Sequence, residues 1–138
     1  MGAALEKFKH EGGETLNDIY DRFPYWFCPE IKEHYGKTDD MAFDQHFLLG
    51  ACAPRYVMIN SAGDDLWADP VAEQQTCIEA TPAWKLFGKD GYLGKSEPYS
   101  DNSGCLEGDI GYYKRSGIHF LGRKDWQNFM AFIRSKQR

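Results

Sequence analysis

The stretch Pro-Arg-Tyr-Val-Met-Ile-Asn-Ser at residues 54–61 contains the clearest strand signal in this chain. Its continuous apolar run at 56–59 includes β-branched side chains, which is typical of a strand buried on both faces of a parallel sheet. A turn follows, and Asp69-Pro70 then predicts the N-cap and first position of a helix over about 71–86. That helix could break at its internal proline.

The segments around this strand–helix unit predict further elements. Residues 14–23 place apolar side chains at helical spacing, and Pro24 ends that helix because the residue before a proline disfavours the helical conformation. Asp44 predicts the N-cap of a short apolar helix. Residues 88–108 are rich in Gly, Ser, Asp and Asn and predict a long loop, whereas 110–115 predict a second strand.

Two further segments remain, one rich in aromatic residues and one with helical spacing. Trp26 and the aromatic residues around it lie between two prolines, and we expect them to belong to the core rather than to form a stacking platform. Asp125 predicts the cap of a final helix. Four apolar side chains share one face of that helix, namely Trp126, Phe129, Met130 and Ile133.

The alternation of strand and helix indicates an α/β fold with parallel pairing, in a single unit over residues 1–138. Only two strands are convincing. A two-stranded parallel sheet leaves both edges open, so we expect it to be completed by self-association into a homodimer or a larger assembly.

The composition argues against several classes of protein. The 16 Lys and Arg against 21 Asp and Glu give a net charge of −5, whereas nucleic-acid-binding proteins normally carry a basic surface. Aromatic residues make up 15% of the 138 residues, which favours a folded core over disorder. No apolar run approaches the roughly 20 residues that span a bilayer, and residues 1–20 lack the apolar region of a signal peptide. We therefore expect neither a nucleic-acid nor a membrane partner.

The four cysteines, Cys28, Cys52, Cys77 and Cys105, could form two disulfides in three pairings. Their spacing contains no CxxC, which argues against the usual kind of zinc site. Cys52 and Cys77 lie in apolar, helix-like stretches, where a cysteine usually behaves as a small buried hydrophobe with a free thiol.

Polar residues follow both predicted strands, at the end of the sheet where functional groups of doubly wound folds cluster. Asp64, Asp65 and Asp69 follow the first strand, and His119 follows the second. This is the chain order of the acid and the histidine in α/β-hydrolases. By spacing alone, the aspartates are more often turn formers and the histidine a polar surface residue. The carboxylate spacing does not match a calcium loop, and we expect no metal and no cofactor.

Several blocks of this sequence resemble the bacterial glucuronoyl esterases. They are Phe-Pro-Tyr-Trp-Phe-Cys at 23–28, Phe-Asp-Gln-His at 43–46, Ala-Pro-Arg at 53–55, Asp-Leu-Trp-Ala-Asp-Pro at 65–70, Arg-Ser-Gly-Ile-His at 115–119 and Asp-Trp at 125–126. Members of this family are serine carbohydrate esterases that cleave the ester between glucuronic acid on xylan and an alcohol of lignin. The resemblance implies the C-terminal portion of an α/β-hydrolase three-layer sandwich. It also implies secretion or export to the periplasm, although no signal peptide is found.

The resemblance assigns roles to four side chains. His119 resembles the histidine of the catalytic triad, and Asp65 resembles the acid that many bacterial members place after the penultimate strand. Trp67 resembles the tryptophan that lines the uronic-acid pocket, where an indole can cover the apolar face of a pyranose. Glu14 resembles a glutamate that accepts hydrogen bonds from sugar hydroxyls. Both could instead be structural, Trp67 as a plug between loop and helix and Glu14 as an acid favoured by a helix dipole.

The nucleophile of the family lies in a Gly-x-Ser-x-Gly-like elbow, and this sequence contains no such motif. We therefore expect the acid–histidine half of a glucuronoyl esterase, inactive alone and dependent on an N-terminal half supplied separately. Two alternatives stay open. One is a non-catalytic module, derived from the esterase fold, that binds a uronic-acid carbohydrate. The other is an independent fold in which Cys105 acts as the nucleophile.

Overall fold

The sheet of the computed structural model, which describes residues 3–8 and 12–137, is built from β1 (Val57–Ala62), β2 (Ser103–Cys105) and β3 (Ile110–Arg115). β1 and β3 are parallel neighbours, with Val57 opposite Ile110. β2 lies antiparallel on the other side of β3. The parallel pair agrees with the sequence-based expectation, and its second strand has the predicted bounds.

β2 lies within the segment 88–108, for which the sequence predicts an irregular loop. The strand is three residues long and carries no alternation of apolar and polar side chains, so no periodic signal marks it. Its close pairing depends on Gly104, because a Cβ there would come within 2.2 Å of the Tyr112 carbonyl oxygen. The expectation of two strands alone is therefore wrong, and the sheet is a small mixed one.

Among the described residues, four α-helices accompany the sheet: α1 (Leu16–Arg22), α2 (Gln45–Gly50), α3 (Pro70–Lys85) and α4 (Arg123–Ser135). Short 3-10 turns lie between α1 and α2, at Pro24–Trp26, Pro29–His34 and Thr38–Asp40. Apart from β2, the order of helices and strands is the predicted one. α3 continues past Pro82 to Lys85, so it does not break at that proline.

Side-chain caps explain where the helices begin. Thr15, Asp44 and Asp69 each accept a hydrogen bond from a backbone N–H in the first turn of α1, α2 and α3. α4 begins before Asp125, which is therefore not its N-cap. The Asp125 carboxylate instead accepts a hydrogen bond of 2.7 Å from the backbone N–H of Gly122.

The core lies between the sheet and α3, and its largest members are Trp84, Ile110 and Tyr112, all fully buried. Trp84 Nε1 donates to the Arg55 carbonyl at 3.1 Å, and the Tyr112 hydroxyl donates to the Pro70 carbonyl at 2.7 Å. Both aromatic side chains are thus buried with their polar atoms satisfied, as large amphipathic rings require.

Some side chains are more exposed than the sequence predicts. Trp26 is 65% exposed, so the expectation that it belongs to the core is wrong. β1 is buried only in part, because β3 is its one neighbouring strand in the described sheet. The shared apolar face of α4 is also open, with Trp126 58% exposed, while the helix packs through Phe132.

All four cysteines are free thiols. Cys77 is fully buried as predicted, and burial raises the pKa of its thiol. Cys52 is only half-buried. Cys105 lies in β2 opposite Tyr112, in the middle of β3 and away from the strand end that carries His119. This position does not support Cys105 as the nucleophile.

Candidate functional site

The turns after β1 and β3 lie side by side at the carboxyl end of the parallel pair. The backbone N–H of Asp64 donates to the Gly117 carbonyl at 3.0 Å, which ties one turn to the other. Asp65 Oδ2 and His119 Nδ1 are 2.6 Å apart across this junction. The structure therefore brings together the acid and the histidine that follow the two predicted strands.

The two members of this pair differ in exposure. The Asp65 side chain is 13% exposed, whereas the His119 side chain is 87% exposed. A largely buried carboxylate thus holds one imidazole nitrogen, and the other nitrogen stays accessible. An imidazole oriented in this way can take a proton from a nucleophile. Within the described part of the chain, no hydroxyl or thiol hydrogen-bonds to His119.

Asp65 and His119 line a cavity of about 690 Å³, which is within the usual size range for small-molecule sites. Trp67 and Glu14 line the same cavity, so all four side chains singled out by the resemblance meet in one place. A backbone hydrogen bond of 2.9 Å from the Glu14 N–H to the Trp67 carbonyl joins the two segments that carry them.

Trp67 is 44% exposed and therefore does not act as a buried plug between loop and helix. The Arg22 guanidinium, from the last turn of α1, lies 3.9 Å from the centroid of the indole ring, in cation–π contact. Arg22 also lines the cavity. The sequence did not single out Arg22, because a basic residue at the end of a helix is an ordinary dipole-compensating feature.

Glu73 is a further acid in the wall of this cavity, and sequence reasoning missed it. It lies in the first turn of α3, and its carboxylate accepts hydrogen bonds from the Ser61 hydroxyl and from the Ala3 N–H. Burial raises the pKa of Glu73 to about 7, and the nearby Asp65 charge adds to the rise. The sequence does contain a signal for its burial. Glu73 lies four residues before the buried Cys77 and therefore on the same face of α3.

The buried Glu73 predicts a pH-dependent stability. Its pKa in the folded protein, about 7, exceeds the ordinary value of 4.5, so the folded protein binds this proton more tightly than the unfolded chain. The associated stabilisation is present below the ordinary pKa and is lost as the pH rises to about 7, by up to about 3 kcal/mol. Glu73→Gln should remove this loss and stabilise the protein at alkaline pH.

Urea unfolding at about pH 5 and about pH 8 measures the effect as a free energy of unfolding. Glu79→Gln is the matched control, because Glu79 is exposed on the same helix and should leave the wild-type pH dependence intact. An identical pH dependence in Glu73→Gln and in the wild-type protein would contradict the prediction.

Neither a metal centre nor a membrane span is seen in residues 3–8 and 12–137. This part of the chain contains no cluster of three His, Cys, Asp or Glu side chains that could hold a metal ion. Its helices are all too short or too polar to cross a bilayer.

Comparison with curated proteins identifies a relative that is a carbohydrate esterase. The chain is 37% identical over 131 residues to carbohydrate esterase MZ0003 from an unknown prokaryotic organism. The match covers 95% of this chain and 29% of that protein. No protein-family model matches the chain.

Solved structures show the same similarity in three dimensions. A promiscuous CE15 esterase from a marine bacterial metagenome superimposes with a TM-score of 0.86 at 37% identity, over 94% of this chain and 32% of its own. A glucuronoyl esterase from Solibacter usitatus gives 0.83 at 32% identity, over 97% and 33%. A CE15 glucuronoyl esterase from Teredinibacter turnerae gives 0.86 at 27% identity, over 99% and 33%.

The resemblance to bacterial glucuronoyl esterases is thereby confirmed. The chain spans about a third of the length of the relatives it matches. Its sheet and helices correspond to the C-terminal part of their α/β-hydrolase fold.

Proposed function

We propose, from the similarity of this chain to the CE15 glucuronoyl esterases, that it forms the acid–histidine side of a hydrolase acting on esters of glucuronic acid. The observation that carries the proposal is the 2.6 Å contact of Asp65 with His119, in the wall of a cavity shared with Trp67 and Glu14. The substrates are the glucuronate esters of lignin–carbohydrate complexes.

The pair acts through the two nitrogens of one imidazole. The Nδ1–H of His119 donates to Asp65, which leaves Nε2 unprotonated and able to take the proton of an attacking serine hydroxyl. Asp65 balances the charge of the imidazolium that forms. Nε2 then returns the proton to the leaving alcohol as the ester bond breaks. The serine comes from outside the described residues, on a complementary N-terminal half of an esterase domain.

The open side of the sheet is where such a half would associate. In the described sheet β1 pairs with β3 alone, so its other edge is available to a further strand. Exposed apolar side chains of α4, including Trp126, Met130 and Ile133, would be covered by the same association. A second copy of this chain is the other occupant that these features fit, and light scattering distinguishes the two.

A chimeric esterase tests the proposal. In this chimera, the present chain replaces the matching C-terminal third of the marine bacterial CE15 esterase. We expect the chimera to hydrolyse benzyl glucuronate, and the isolated chain not to do so. A folded chimera without hydrolysis would contradict the catalytic role and favour a non-catalytic uronic-acid-binding module, which the absence of a hydroxyl at His119 in the described residues also fits.

Trp67→Ala should weaken the binding of methyl glucuronate to the isolated chain about tenfold, because the indole would no longer cover the apolar face of the sugar. Isothermal titration calorimetry measures the dissociation constant. Trp126→Ala is the matched control, since Trp126 is exposed on α4 and lies outside the cavity. Equal affinities for wild type and Trp67→Ala would refute a sugar site at this indole.

A further inference from the structure

The turn 116–120, which carries His119, has side chains that mostly face solvent. Ile118, His119 and Phe120 are all exposed. A turn without buried side chains needs contacts to its backbone if it is to keep one conformation. The bond from His119 to Asp65 requires such a fixed conformation, because a hydrogen bond of 2.6 Å tolerates little displacement.

Arg115, the last residue of β3, supplies these backbone contacts. It is buried, and its Nη1 donates to the Ser116 carbonyl at 3.0 Å. Its Nη2 donates to the Ile118 carbonyl at 3.0 Å and also to the Phe120 carbonyl. The carbonyls on either side of His119 are therefore bound to the same nitrogen atom.

Asp125, near the start of α4, holds the guanidinium from the opposite side. Arg115 Nε lies 2.9 Å from Oδ1 and 3.1 Å from Oδ2 of Asp125. The same carboxylate accepts a hydrogen bond of 2.7 Å from Asn60 Nδ2 on β1. A continuous network thus runs from β1, whose following turn carries Asp65, through α4 to the turn that carries His119.

We propose that Arg115, held by Asp125, is a positioning residue that sets the distance between His119 and Asp65. The inference rests on the proposed function, because it gives His119 its role. The guanidinium suits the task, since its planar fork offers five N–H donors that can serve the carbonyls and the carboxylate together. A lysine ammonium carries all its donors on one nitrogen, so it cannot bind the carbonyls of the turn and the Asp125 carboxylate together.

The test is the tautomer of His119 in the isolated chain with Arg115→Lys. Long-range nitrogen-15 NMR of the imidazole at alkaline pH reports which nitrogen carries the proton. We expect the Nδ1–H form to predominate in the wild-type protein and to give way to a mixture of both forms in the variant. A folded Arg115→Lys with the wild-type tautomer would overturn the proposal.

Phe132→Leu is the matched destabilised control. Phe132 packs against Gly111 of β3 from α4 and has no part in the network, so this variant should keep the wild-type tautomer. Loss of the predominant Nδ1–H tautomer in Phe132→Leu as well would overturn a specific role for Arg115.

If Arg115→Lys does not fold, the tautomer of His119 is measured in Asp125→Asn instead. This variant keeps the side-chain volume and removes the charge that holds the guanidinium. An unchanged tautomer there counts against the proposal.

Activity of the chimera separates this inference from the proposed function. Arg115→Lys should lower kcat about 100-fold with little change in KM, as expected for a displaced catalytic group. An unchanged kcat in an active chimera would overturn the inference alone. An inactive wild-type chimera would refute the proposed function, while the NMR result would still show whether Arg115 positions His119.

Discussion

His119→Ala should lower the kcat of the chimeric esterase on benzyl glucuronate by about 10⁴-fold, with little change in KM. In the proposed mechanism the imidazole is the base that removes the serine proton, and Asp65 Oδ2 holds its Nδ1 at 2.6 Å. Asp65→Asn should have an effect of similar size. An amide in that position keeps the shape of the carboxylate but no longer stabilises the imidazolium or selects the Nδ1–H tautomer.

Steady-state kinetics of purified, folded variants provides the measurement. His34→Ala is the matched control, because His34 lies in the 3-10 turn at Pro29–His34, away from the cavity, and its loss should change kcat less than about twofold. If His119→Ala kept more than about a tenth of the wild-type kcat, His119 would not be the catalytic base.

Trp84→Ala should lower the free energy of unfolding by about 3–5 kcal/mol, the largest stability change that we expect from one substitution in this chain. Trp84 is fully buried between α3 and the sheet, so the substitution would leave a large cavity in the core. It would also remove the donor to the Arg55 carbonyl. The loss of that buried hydrogen bond adds to the cost of the cavity.

Urea unfolding followed by circular dichroism measures this change. Trp126→Ala removes the same side chain from an exposed position and should alter the free energy by no more than about 0.5 kcal/mol. If Trp84→Ala is unfolded in water, Trp84→Phe should remain folded and lose about 1–2 kcal/mol, because it keeps an aromatic ring in the core while it removes the N–H donor and part of the ring volume. Equal stabilities of Trp84→Ala and Trp126→Ala would show that the core lies elsewhere.

Local sequence patterns predict the parallel strands and the helices well. The run at 56–59 and the segment 110–115 are apolar enough to mark β1 and β3, and the side chains of Asp44 and Asp69 mark helix starts because their capping chemistry is local. β2 escapes prediction because its pairing depends on the absence of a side chain at Gly104, which gives no periodic signal.

In the candidate site, too, local patterns predict some residues, and others depend on long-range contacts. The meeting of Asp65 and His119 could be predicted because each lies in the turn that follows a strand, and parallel strands bring their carboxyl ends to one edge. Arg115 could not, since its role comes from long-range contacts, above all to the carboxylate of Asp125. Glu73 lies on the buried face of α3, which the helical spacing marks, but its contact with the Ser61 hydroxyl is long-range and leaves no local pattern. The sequence does not predict the exposure of Trp26, because large aromatic residues are usually buried and a local pattern does not show which of them are not.

The most direct test of the account is complementation between two polypeptides. The first two-thirds of the marine bacterial CE15 esterase, expressed separately, is titrated with this chain, and hydrolysis of benzyl glucuronate is followed. We predict that neither polypeptide hydrolyses the ester alone, and that activity rises with added chain and saturates as the complex forms. A complex seen by light scattering that remains inactive would contradict the claim that Asp65 and His119 form one side of an esterase site.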